Sequence, residues 1–131
     1  MSEILLSWIG NTDLRASAGD HDTGIGPIAQ AVNSKTYENI VLFSDHSDKE
    51  NRQFCKWLKS KKSISIQVVK ENLSSPTNYS DIYDAVSRQI EHILEHHSGE
   101  PKFTYHLSPG TPAMAAIWIL LAKTKYPAKL I

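Results

Sequence analysis

Short apolar runs alternate along this chain with longer amphipathic segments, and few folds can satisfy that alternation. "ILLSWI" (4–9), "NIVLF" (39–43) and "ISIQVV" (64–69) are continuous apolar runs of strand length, as expected of strands covered on both faces. "KFTYHL" (102–107) alternates with aromatic and β-branched residues, and "AKLI" (128–131) begins a fifth strand. Between them the spacing becomes helical. Pro27 suits the first turn of a helix through "PIAQAVN", and Phe54, Trp57 and Leu58 form one stripe of "DKENRQFCKWLKS". Ile82, Val86, Ile90 and Ile93 share a face of "SDIYDAVSRQIEHILEHH", with Ser80 as its expected N-cap. The last helix, "TPAMAAIWILLAK", is apolar nearly all round and must be buried in the core or against a partner chain. The pattern predicts an α/β, Rossmann-like parallel sheet of about five strands, with right-handed crossovers and helices on both faces.

At 131 residues this is one domain, 1–131, large enough for a real core. An apparent strand at the last residue, Ile131, leads us to expect a fragment of a longer protein whose remainder carries an output domain. Lys plus Arg and Asp plus Glu are both 14, so global charge offers no handle for duplex DNA or an anionic membrane. The longest apolar stretch, "AMAAIWILLA", is about half of what a bilayer crossing needs, and no basic region precedes the N-terminal apolar run. A cytoplasmic domain is expected. The single cysteine, Cys55, excludes an internal disulfide and a cysteine-based zinc cluster, and its place on the helical stripe reads as core.

In a doubly wound sheet, ligands lie beyond the C-terminal ends of the strands. The segments there are "GNTDLRASAGDHDTGIGP", read as an eighteen-residue loop, then "SDHSD", "ENLSSPTNYS" and "SPGTP". All four are polar and rich in small residues, and they fall on one edge. "SPGTP" brings Ser108, Gly110 and Thr111 to a helix N-terminus, where unpaired backbone N–H groups and the helix dipole favour a phosphate. The plainer alternative is that Thr111 only caps the helix. Asp13 and Arg15 follow the first strand, where Arg15 could meet a phosphate or stack on a base; alternatively the two form an exposed ion pair. The "GIG" before Pro27 lacks dinucleotide-fingerprint spacing, and no Walker motif or nucleophile elbow occurs. His92 and His96, four apart, read as a solvated helix end rather than a metal site, which leaves His106 as the histidine to consider for a site. No cofactor or metal is expected.

Taken together, "LLSWIGNTDLRAS", "VLFSD", "LSSPTNYSDIY" and above all "HLSPGTPAMAAIWILLAKTKYPAKLI" resemble a CARF domain, the CRISPR-associated Rossmann-fold ligand sensor, over nearly the whole chain. The likeness is strongest to the N-terminal sensors of AAA+ enhancer-binding transcription activators related to RNA-repair operon regulators. It implies a homodimer that senses a cyclic oligoadenylate or an RNA end across its two-fold axis and controls an output domain. Carried onto this chain, the first loop would supply Asn11, Thr12, Asp13 and Arg15, and the fourth Ser108, Pro109, Gly110, Thr111 and Met114. Where the family tends to have a basic residue on the last helix, this chain has small and apolar ones, its first lysine there being Lys123. The resemblance implies a sensor without catalysis of its own. Two alternatives stay open: a ring nuclease that cleaves its own ligand, and a dimerisation scaffold that binds nothing. The dimer has its own sequence argument. Met114, Ile117, Trp118 and Leu121 make one apolar face of the last helix and Ala115, Ile119 and Leu120 another, and only one of them can pack on the sheet.

Overall fold

The computed structural model describes residues 3–131. Five parallel strands form one sheet in the order β3-β2-β1-β4-β5. They are β1 (Glu3–Trp8), β2 (Asn39–Ser44), β3 (Ile66–Lys70), β4 (Lys102–Tyr105) and β5 (Lys129–Leu130). The helices are α1 (Asn11–Ser17), α2 (Gly26–Ser34), α3 (Asp48–Lys61), α4 (Tyr79–His96) and α5 (Pro112–Lys123). This is the doubly wound α/β arrangement that the alternation predicts. Strand order reverses between β1 and β4, where chain connections diverge to opposite sides and leave a crevice.

The period-two alternation of β1 explains the two cores. Ile4, Leu6 and Trp8 face α4 and α5, packing with Ile82, Val86, Ile90, Ile117 and Trp118. Leu5 faces the other way, into a layer with Ile28, Val32, Phe54 and Leu58 of α2 and α3. Both faces of the central strand are thus dry, as its unbroken apolar run requires. Aromatic rings fill the first core: Trp8 lies 5.3 Å from Phe43, Phe43 5.7 Å from Trp118, and Tyr105 stacks on Trp118 at 4.6 Å. The Tyr105 hydroxyl donates to the Tyr126 carbonyl, tying β4 to the turn that leads into β5.

Four sequence readings are corrected. The stretch after β1 is not a long loop: it contains α1 and a 3-10 turn over His21–Thr23. Helix α1 is only seven residues long and has no large apolar stripe, so periodicity could not reveal it; it is anchored by burial of Asp13 and Ala16. The N-cap of α4 is Asn78, whose side chain accepts from the Asp81 N–H, and Ser80 lies inside the helix. Strand β3 starts at Ile66, leaving Ile64 and Ser65 outside it. Cys55 is only half-buried, because the core-facing positions of α3 are Asn51, Phe54 and Leu58. Among the described residues, no helix is long and apolar enough to cross a membrane.

Candidate functional site

A cavity of about 440 Å³ opens at the C-terminal edge of the sheet, over the β1–β4 switch point. Its wall contains Asn11, Thr12 and Asp13 after β1, Asp45 and His46 after β2, Pro76 after β3, and Ser108, Pro109, Gly110, Thr111 and Met114 after β4. The four polar segments placed on one edge by sequence therefore converge on one concavity. Arg15 is not in the wall. It sits on the exposed side of α1, where its guanidinium pairs with Asp20 at 3.0 Å. The Asp13–Arg15 ion pair weighed from sequence is therefore not formed.

The two central loops touch. A side chain on Gly10 would begin 2.7 Å from the Gly110 backbone nitrogen, so glycine is required for the β1 and β4 loops to approach this closely. Gly110 has φ 89°, and its own Cβ would fall 2.5 Å from Met114 Sδ. The turn is thus determined twice: by a left-handed backbone and by the methionine against it.

The polar groups of the wall divide into committed and open ones. Thr111 is committed. Its hydroxyl donates to the Pro76 carbonyl (2.6 Å) and accepts from the Met114 N–H (3.3 Å), so it caps α5 and ties the β3–α4 loop to that helix start. No hydroxyl proton is left for a ligand in this arrangement. Asp13, fully buried, is also committed: it accepts from the Gly10 N–H and the Ile28 N–H, both at 3.0 Å. Helix α2 has no side-chain cap of its own at Ile25, so Asp13 caps it from another helix. Burial pushes the Asp13 carboxyl up to about 6, against the lowering effect of those backbone donors. By contrast, the side chains of Asn11, Thr12 and Ser108 are exposed and have no hydrogen-bond partner among the described residues. Helix geometry also leaves the Ala113 N–H without an intrahelical acceptor, although Ala113 is buried and not part of the wall.

The histidine in the wall is His46, which sequence reasoning passed over. Its Nε2 lies 2.9 Å from the Ile9 carbonyl oxygen, an acceptor, so Nε2 carries the proton. The signal that could have found it was its position two residues after a strand on the ligand edge. His106, the histidine singled out from sequence, is buried below the wall, with Nδ1 3.3 Å from Ser7 Oγ. Burial holds it down at about 4, so it is neutral at pH 7. Among the described residues, no Lys or Arg lines the cavity; its charged wall residues are Asp13 and Asp45. Among the described residues, no group of three or more His, Cys, Asp or Glu could hold a metal.

The fold can be matched to a solved one. The structure of Enterococcus italicus Csm6 bound to cyclic hexa-2'-fluoro-hexa-dAMP superposes with a TM-score of 0.76 over 98% of this chain, at 21% sequence identity. The two share a Rossmann-like fold. This chain corresponds to 32% of that protein's chain. No protein-family model and no curated protein matches the sequence.

Proposed function

We propose that this is a CARF-type sensor domain, related to those of AAA+ transcription activators, acting in the cytoplasm. It binds a cyclic oligoadenylate or a related RNA-derived phosphodiester across a homodimer interface and controls an output domain. The carrying observation is the cavity at the switch point, where Asn11, Thr12 and Ser108 present unpaired polar side chains beside the start of α5. A phosphodiester there takes hydrogen bonds from the Ser108 hydroxyl and the Asn11 amide, while Gly110 leaves the backbone accessible. Thr111 and Asp13 hold the two helix starts in place, and Met114 forms apolar wall. Arg15 would have to exchange Asp20 for the ligand. The fold's likeness to a protein solved with a cyclic oligonucleotide supports this ligand class.

The dimer reading is supported by α5. Met114, Ile117, Trp118 and Leu121 are buried in the domain, whereas Ile119 is 43% exposed and Leu120 48%. Pairing that face across a two-fold axis covers it and brings two cavities towards one symmetric ligand. Light scattering of the purified domain should give a dimer mass, and Leu120→Glu should shift it to monomer. A monomeric wild type at high micromolar concentration would count against the pairing.

Incubation with cyclic tri-, tetra- and hexa-adenylate tests the ligand. Binding with the ring recovered intact supports the sensor, and a linearised product shows a ring nuclease. No response to any ring or to RNA ends leaves the scaffold.

A further inference from the structure

Of the two carboxylates in the cavity wall, one is spent and one is not. Asp13 already accepts from two backbone N–H groups. Asp45 accepts no hydrogen bond among the described residues, and its polar neighbour His46 Nε2 is 4.0 Å away and engaged with the Ile9 carbonyl. We propose that Asp45 is a specificity-determining residue that accepts a hydrogen bond from a ribose 2'-hydroxyl of the ligand, so that the cavity separates ribonucleotide rings from deoxyribonucleotide ones. This rests on the reading of the cavity as a site for a nucleotide phosphodiester.

Three features of the structure carry the assignment. The first is position. Asp45 directly follows β2, which pairs in parallel with β1 up to Trp8 and Phe43, so it stands on the crevice edge beside the β1 loop. In doubly wound nucleotide-binding sheets, an acid following the second strand is well placed for ribose hydroxyls, while phosphate sits over a helix start. Here the start of α5 and Asp45 line the same cavity.

Rigidity is the second. Both neighbours of Asp45 are pinned: Ser44 Oγ donates to Asn51 Oδ1 (2.6 Å) and accepts from the His46 N–H (3.0 Å), and Asn51 Nδ2 donates to the His46 carbonyl (3.3 Å). Ser44 and Asn51 are buried, so the turn presenting Asp45 is fixed before any ligand arrives.

Charge complementarity is the third. A carboxylate in a wall without Lys or Arg repels a phosphate and calls for a neutral donor. A ribose hydroxyl is such a donor, and the exocyclic amine of adenine is another. The test separates the two.

Binding of cyclic tetra-adenylate and cyclic hexa-adenylate is compared with that of their all-2'-deoxy and all-inosine counterparts, for the wild type and Asp45→Ala, which removes the acceptor. The wild type should prefer the ribo ring over its deoxy counterpart by at least about tenfold, since the deoxy ring leaves an acceptor unpaired. In Asp45→Ala that gap should close, and the inosine ring should follow the adenine ring in both proteins. Equal wild-type affinity for ribo and deoxy rings overturns the assignment while leaving the sensor reading intact. So does a gap that persists in Asp45→Ala, or one that appears only between adenine and inosine. Should Asp45→Ala fail to fold, wild-type discrimination together with Asp45→Val decides the matter. If no ring binds the wild type, the sensor reading itself falls, and the assignment with it.

Discussion

Helices α5 and α2 both begin at the cavity, and they are held there by opposite means. Helix α5 is capped by its own Thr111, three residues from the N–H it satisfies, and Pro112 follows in its first turn. Helix α2 has Ile25 at its cap position and receives its acceptor from Asp13, fifteen residues earlier and on another helix. The first arrangement can be written into five consecutive residues. The second exists only when β1, α1 and α2 are assembled, so one side of the cavity has local support and the other depends on the fold as a whole.

Removing the remote cap should have the largest effect. Asp13→Ala leaves the Gly10 and Ile28 N–H groups without acceptors in a buried setting, a loss of about 3 kcal/mol. Chemical denaturation measures it, and a loss of only a few tenths would mean that the two helix starts are independent. On the α5 side, Gly110→Ala can be compared with Gly99→Ala. Both glycines have φ 89°, but a Cβ on Gly99 meets nothing within 4 Å while one on Gly110 meets Met114 Sδ. Each substitution should cost about 1–2 kcal/mol for the left-handed backbone. Gly110→Ala should cost more by the collision, and Gly110→Val more still. Equal melting temperatures for the two alanine variants would show that Met114 yields freely.

Thr111→Ala should cost about 1 kcal/mol as a lost cap. Thr111→Ser, which keeps a hydroxyl for Met114 and Pro76, should restore most of it. If Thr111→Ala weakens ring binding without lowering the melting temperature, the hydroxyl serves the ligand and the cap is incidental.

The pH dependence distinguishes the caps further, because only the remote one titrates. The folded Asp13 carboxyl, at about 6, stands above its ordinary value of 3.8, so the native state holds this proton more tightly than the unfolded chain does. Its contribution to stability is therefore greatest below the ordinary carboxylate range and declines as pH rises to and through about 6. Between pH 5 and pH 7 the stability of the wild type relative to Asp13→Asn should fall by on the order of 1 kcal/mol. A difference that does not change with pH would mean that Asp13 ionises as freely as a surface acid. The smallest effect belongs to Arg15→Ala, whose exposed pair with Asp20 supports neither helix start. Its melting temperature should match the wild type, while ring affinity reports whether the guanidinium leaves Asp20 for the ligand.

Much of this protein is legible residue by residue. Because each strand and each long helix must bury a face, the apolar run of β1 and the stripe of α4 reveal themselves in composition and spacing alone, and so does the cap at Thr111, whose partner is three residues away. The convergence of polar segments on one edge follows from strand direction in a parallel sheet, which explains why Ser108 and Gly110 could be named before the cavity was seen, while Asn11 and Thr12 were named through the family resemblance. What the tertiary structure alone decided was how each polar group is used. Asp13 and Arg15, two residues apart, look equally available in sequence, yet one is buried between helix starts and the other is tied to Asp20 in solvent. His106, singled out from sequence, lies beneath the wall, and His46, which sequence reasoning passed over, lies in it. Helix α1 was missed because seven residues with Leu14 as their one large apolar side chain have no periodicity of their own. Apolar burial is imposed on a segment by its own pattern of side chains, whereas a hydrogen bond between distant residues is chosen only after the chain has closed around them.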